Sequence, residues 1–398
     1  MTISKLNFIR KLGEVEKFFT SITRIGRYNN FSYIVAKQQT YSPEQIHYSL
    51  SQTIKSNPIL ASVVLNDSIY LPDSLKLNQV YSKWSNHIKL NELFSKINGI
   101  RFKYSEDSNL FKIVETDSHF AFTMDHSIFD GKSVMSLSKD FLSNLNNTPA
   151  SQNVNEPIYK FNPKDTISPP LETILHPNST IPKRLTSDLP RFESGVHSYG
   201  LGKHHFQTKV IKKPSNLNMS LTTKIQTSWV KALIEMGFPK SVQYDTCFGV
   251  DSRRWIGKLQ DSSIRYGCYS TGYFQSIDPL NVDPQLYSDE LRNDALTGDI
   301  LQPFMMYATS GLNWDEEFSK NYKEMHRGCL EITNIGKVEE LDSWFVQSTF
   351  DLAFVFGINL VVSGDDLRFV FTMVDNEKID LQKWSGIIDK FEFFMINH

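Results

Sequence analysis

A chain of 398 residues is too long for one ordinary core and suits two domains of roughly 100–200 residues each. Hydrophobic residues at 40% and charged residues at 22% are those of a folded globular protein, and they exclude disordered, collagen-like and membrane-spanning classes. A formal charge of −2 creates no broad field to attract nucleic acid or an anionic membrane, so nucleic-acid binding is not expected.

From about Lys5 to Ile25, Phe8, Leu12, Val15, Phe19 and Ile22 recur at spacings of four and three, which predicts one long amphipathic helix. Tyr28 to Ala36 reads as a strand. Ser42-Pro43-Glu44 then opens a helix with Ser42 as N-cap and Pro43 at the first helical position, ending near Asn57-Pro58. Arg101–Tyr104 and Leu110–Glu115 are short strand-like runs on either side of a polar stretch, which predicts a hairpin. Ser118 to Asp125 alternates, with Phe120, Phe122, Met124 and, in phase, His126 on one face of a strand. Asp130-Gly131 breaks that pattern and a helix follows from Ser133 to Leu145. His126 and Asp130 therefore sit on a strand-to-helix loop, where reactive side chains are commonly displayed.

Between about Asn144 and Phe192 the sequence turns to Asn, Pro, Ser and Thr with little periodicity, and this stretch predicts a crossover between two halves. The second half resumes near Leu201. Ser220 caps a helix through Met236, Val242–Val250 reads as a strand, and Asn321–Leu330 as a further helix. Phe354–Val362 and Leu367–Val374 form a hairpin about Ser363–Asp366, and Leu381, Trp384, Ile388, Phe391 and Met395 mark a closing helix. The first residues lack the apolar core of a signal peptide. The apolar run Leu352–Val362 is broken by Asn359 and falls well short of about 20 residues, so neither a targeting nor a spanning segment is expected. Cys247, Cys268 and Cys329 are odd in number and widely spaced, which favours a reducing, cytoplasmic setting over a disulfide framework or a zinc site. The sequons at Asn66 and Asn178 are read as chance matches.

Residues 126–131, His-Ser-Ile-Phe-Asp-Gly, carry the pattern His-x-x-x-Asp-Gly. In this the chain resembles the CoA-dependent acyltransferase superfamily, which includes chloramphenicol acetyltransferase, plant BAHD enzymes and peptide-synthetase condensation domains. Arg10-Lys11-Leu12-Gly13-Glu14-Val15-Glu16 and Tyr28-Asn29-Asn30-Phe31 are similar to the opening segments of fungal alcohol O-acetyltransferases and their N-acetylating relatives. Condensation domains normally carry two adjacent histidines, whereas here Asp125 precedes His126.

The resemblance implies an α+β fold of mixed-sheet two-layer sandwiches, with two chloramphenicol-acetyltransferase-like halves and an interdomain tunnel. The halves would be 1–145 and 201–398, joined by a crossover linker over 146–200. It further implies that His126 is the general base and that the acceptor attacks the thioester of acetyl-CoA directly, with no metal. Asp130 would be structural, pairing across the halves with an arginine; Asp251-Ser252-Arg253-Arg254 resembles the family's Asp-x-Arg segment and makes Arg253 the candidate. Gly131 would shape the loop, and Ser348 and Thr349 are candidate donors to the oxyanion. The implied partners are a hydrophobic alcohol, or a long-chain amine or sphingoid-like base, and a CoA thioester. The protein would be a monomer, with peripheral attachment to lipid droplets or the endoplasmic reticulum as an alternative to core packing of its terminal helices.

Set against this, a strand-terminal histidine is more often structural than catalytic, and Arg253-Arg254 reads equally as a surface pair. A zinc site would need His119, His204 or His205 brought to His126 and Asp130, which nothing in the sequence arranges. The alternative from another class is a catalytically silent relative that binds a ligand or protein partner.

Overall fold

The computed structural model describes residues 5–25, 30–84, 88–147, 153–175, 189–192, 204–214, 218–256, 264–320, 328–348, 354–375 and 379–397. The chain divides into two compact units, one of 1–176 with 253–269 and one of 177–252 with 270–398. Both contain a sheet, so the chain is a mixed α+β protein with two sheet-containing halves. Arg253 falls in the same unit as Asp130, although by sequence order it belongs to the second half.

The first unit opens with strand β1 (Leu6–Lys11) and helix α1 (Glu14–Arg24), not with one long helix. The helical spacing ran across Gly13, which is the N-cap: its N–H donates to Glu16 Oε2 at 2.8 Å, closing the first turn. A side chain would clash there, because a Cβ on Gly13 would lie 2.3 Å from Pro170 Cβ as well as 2.0 Å from Glu172 Oε1. Phe8 accordingly lies on β1 and is 58% exposed, while Val15, Phe18, Phe19 and Ile22 form the buried stripe of α1. Strand β2 (Asn30–Ala36) follows, then helix α2 (Pro43–Ser56), whose N–H of Gln45 is capped by Ser42 Oγ.

Short elements come next: β3 (Val63–Leu65), β4 (Ser68–Pro72), β5 (Ser74–Leu75), α3 (Leu77–Val80), β6 (Tyr81–Lys83) and α4 (Leu90–Asn98). Strands β1, β4 and β3 form a small antiparallel sheet. The segment expected as a strand over Arg101–Tyr104 is not one. Strand β7 (Phe111–Glu115) pairs instead with strand β8 (His119–Asp125), while Tyr104 reaches across to the carboxylate of Asp125.

Strand β8 lies between β2 and β7, antiparallel to both, and β6 runs parallel to β7 on its other side. Both faces of β8 are covered: Ala121, Thr123 and Asp125 are as buried as Phe120, Phe122 and Met124. Helix α5 (Gly131–Leu145) then leaves the strand end. The expected crossover is not wholly without structure, since β9 (Tyr159–Lys160) pairs with β5 and Leu171–Thr173 forms a 3-10 turn.

The second unit is built on a six-stranded mixed sheet. Its elements are β10 (His204–Lys212), α6 (Leu221–Glu235), β11 (Tyr244–Asp251), β12 (Ser270–Ile277), α7 (Pro284–Thr297), α8 (Gln302–Ala308), α9 (Trp314–Lys320), β13 (Gly328–Val338), β14 (Ser343–Ser348), β15 (Phe354–Ser363), β16 (Asp366–Val374) and α10 (Leu381–Asn397). The sheet order is β10-β16-β15-β13-β11-β12, parallel at β15-β13 and β13-β11 and antiparallel elsewhere.

The helix expected over Asn321–Leu330 is displaced: α9 precedes it and Leu330 belongs to β13, while 321–327 lie outside the described residues. Leu330 is recruited by pairing with Thr246 and Phe356, partners too distant in sequence for a helical spacing to reveal. Helix α10 packs on α6, its Phe391 ring meeting Trp229 edge-on, and it buries Trp384, Ile387, Ile388, Phe391 and Met395. No described helix is long and apolar enough to cross a membrane.

Candidate active site

His126 is the first residue after β8, at the end of a strand held from both sides, and only 3% of it is exposed. Its Nδ1 lies 2.9 Å from the carbonyl oxygen of Phe129. A carbonyl only accepts, so Nδ1 carries the proton and Nε2 keeps its lone pair. The Sγ of Cys268 lies 3.8 Å from the same Nδ1.

The imidazole is stacked on Phe19, with centroids 3.7 Å apart and planes inclined by 21°, and the ring of Phe31 meets it at 4.4 Å and 64°. Burial among these rings pushes the imidazole pKa down to about 4, against an upward pull from the Phe129 carbonyl and Asp130. At neutral pH the ring is therefore uncharged.

Asp130 is the N-cap of α5, where its Oδ1 accepts from Ser133 N–H at 2.9 Å. The same carboxylate accepts Arg253 Nη1 at 2.8 Å and Nη2 at 3.2 Å, the Tyr269 N–H at 2.9 Å and the Ser133 hydroxyl at 3.0 Å. Burial alone would raise its pKa; the Arg253 guanidinium and these donors outweigh that and hold it below the usual carboxylate range. With its lone pairs committed in this way, Asp130 does not hydrogen-bond the imidazole, and the proton on Nδ1 goes to Phe129 instead.

Arg253 is further fixed by Nε donating to Ile264 O at 2.8 Å, and its guanidinium lies over the Tyr269 ring at 5.0 Å. Arg254 instead covers Trp255, 4.0 Å from the ring centroid. Gly131 is the first residue of α5. Gly267 has φ +144°, and a Cβ there would strike the Tyr269 ring at 2.2 Å. That bare backbone lets Gly267 N–H reach Ser133 Oγ at 3.1 Å, drawing the segment that carries Cys268 against the start of α5.

The structure thus brings together His126, Asp130, Gly131 and Arg253 from the sequence reading. Ser348 ends β14 in the second unit and its side chain lies outside the described residues, as do Thr349 and the Tyr28-Asn29 part of the opening segment. His119 stands at the far end of β8 from His126, and among the described residues no three His, Cys, Asp or Glu side chains are grouped to hold a metal ion. Phe19, Phe31, Cys268, Tyr269 and Ser133 were not expected from the sequence to stand at the site. Only Ser133, three residues after an Asp N-cap, left a local signal.

No family model matches the chain and no curated protein matches it in sequence. Solved structures do. The trichothecene 15-O-acetyltransferase of Fusarium sporotrichioides aligns over 98% of this chain and 98% of its own, with a TM-score of 0.67 at 12% identity. This chain has their fold. The epimerization domain from the third module of tyrocidine synthetase B aligns over 98% of both chains with a TM-score of 0.61 and 12% identity. The condensation domain of the Monacolin K polyketide synthase covers 98% of this chain and 97% of its own at 0.59 and 6%. At such identities the likeness is one of fold.

Proposed function

We propose that this protein is a CoA-dependent acyltransferase in which His126 is the general base. The observation that carries the reading is the hydrogen bond from His126 Nδ1 to the Phe129 carbonyl. It puts the lone pair on Nε2, and burial keeps the ring neutral, the state a base must have before it accepts a proton; general-base assistance of this kind contributes about 10²–10⁴-fold.

In the reaction Nε2 takes the proton from an acceptor hydroxyl as its oxygen bonds to the thioester carbonyl carbon. The tetrahedral oxyanion collapses, the carbon–sulfur bond breaks, and the departing CoA thiolate recovers the proton from the imidazolium. No covalent acyl-enzyme is required. Asp130 serves by holding the loop through Arg253, Ser133 and Tyr269. Ser348 and Thr349 are the candidate oxyanion donors that the resemblance suggests, a role whose loss costs about 3–4 kcal/mol in other acyl-transfer enzymes.

The finer reading is an acetyl group passed from acetyl-CoA to a hydrophobic alcohol, with N-acetylation of a long-chain amine as its close variant. It is supported by the Arg10–Glu16 segment, and the described site contains apolar rings beside the base. The test is to incubate the purified protein with acetyl-CoA and a panel of alcohols and amines while measuring released thiol, beside His126→Ala. Acceptor-dependent release lost in the variant is expected. Equal rates in both proteins would remove His126 as the base, and no release with any acceptor would favour a silent binding module.

A further inference from the structure

Asp125, the residue before the candidate base, is fully buried, and among the described residues the groups that donate to it are neutral. Oδ1 accepts from the Ser127 N–H at 2.9 Å and from the Tyr104 hydroxyl at 3.1 Å, and Oδ2 accepts from the Thr23 hydroxyl at 3.3 Å. A buried carboxylate without a positive partner is costly, and burial accordingly raises its pKa.

What the carboxylate does is geometric. The bond from Asp125 to the N–H two residues on is an Asx turn, which bends the chain at His126 out of the line of β8. Its other oxygen holds Thr23, which lies one helical turn beyond Phe19 on the same face of α1. Phe19 is the ring stacked on the imidazole. Two successive turns of α1 are thus tied to two successive residues at the end of β8, one through Asp125 and one through His126.

We propose that Asp125 is the positioning residue for His126. Through Ser127 and Thr23 it sets the turn in which Nδ1 meets the Phe129 carbonyl and Nε2 is left free. The consequence for catalysis rests on the reading of His126 as base; the consequence for the imidazole does not.

The test uses the full chain with 15N-labelled histidine, in which the ring nitrogens of His126 are recognised as those missing from His126→Ala. The wild type should show a single Nδ1–H tautomer. Asp125→Ala should show mixed tautomers and lose about 10²-fold in kcat, the size of effect expected from a misplacement near 1 Å, with the KM for acetyl-CoA little changed. Asp125→Asn retains an oxygen to accept from Ser127 and should recover most of both. A single Nδ1–H tautomer and wild-type kcat in Asp125→Ala would overturn the proposal, as would an Asn variant no better than Ala. If Asp125→Ala does not fold, Thr23→Val and Tyr104→Phe take its place, and a wild-type tautomer and kcat in both would refute the positioning role. Failure of the wild type to transfer acyl groups would sink the proposed function alone, since the tautomer is read without it.

Discussion

The ring of Phe19 lies 3.7 Å from the imidazole of His126, so a helix near the start of the chain closes one face of the candidate base. Removing that cover should let water reach the imidazole. In Phe19→Ala the pKa of His126 is expected to climb from about 4 towards the ordinary 6.5, followed by the histidine ring resonances across a pH titration. An unmoved value would mean that Phe31 and Cys268 suffice.

The wild-type pH profile follows from the same depression. Only the neutral imidazole can accept a proton, so kcat/KM should hold level as pH falls from 7 and drop only near 4, where an unburied histidine would already fail near 6.5. Stability carries the matching sign. The folded state resists protonation of His126, so its contribution is complete above about 6.5 and diminishes as pH falls towards 4. Both are read from initial rates and from urea midpoints against pH.

Asp130 and Arg253 form a pair whose side chains are 2% and 15% exposed. Asp130→Asn or Arg253→Ala leaves one partner buried and unmatched and should cost about 3–5 kcal/mol in urea unfolding, together with activity. His126→Ala should abolish activity with a much smaller loss of stability. An unaltered unfolding midpoint in the first two variants would dismiss the stabilising role of the pair.

Arg10 binds both oxygens of Glu16 at 2.7 Å and donates through Nε to the Ser168 carbonyl at 3.2 Å, while Glu16 also holds the Gly13 N–H. Glu16→Ala removes a helix cap and strands a largely buried guanidinium, for an expected loss of about 3 kcal/mol. Because Phe19 lies one turn further along α1, kcat should fall as well. Differential scanning calorimetry beside thiol-release rates checks both.

Helix α10 buries Trp384 and Phe391, and an aromatic-to-Ala change in such a core typically costs about 3–5 kcal/mol. Deleting Leu381–Asn397 should therefore unfold the second unit and give aggregates. A truncated protein that stays folded and leaves a membrane fraction would instead support peripheral attachment.

Much of this was legible one segment at a time. Ser42 with Pro43, Ser220, and the Ser363–Asp366 turn each mark an element boundary by chemistry confined to a few residues, and the structure has helices and strands at those places. Phe8 misled because a three-and-four spacing continues numerically through Gly13, whereas the chain there is governed by a close approach of Glu172. Arg101–Tyr104 has strand-like residues but no strand partner, since β7 is already engaged by β8 and β6. Pairing is a property of two segments and no single one displays it.

For the site, the sequence by itself determined a histidine at the end of a strand and an Asp-Gly break before a helix, because periodicity acts within one or two turns; that Asp130 caps the helix and Gly131 opens it came from the structure. Only the tertiary structure decided which groups surround them. It committed Asp130 to Arg253 rather than to His126, turned Nδ1 to Phe129, and laid Phe19 and Cys268 beside the imidazole. The neutrality of the imidazole at physiological pH comes from that enclosure, and burial arises from contacts between residues far apart in the chain.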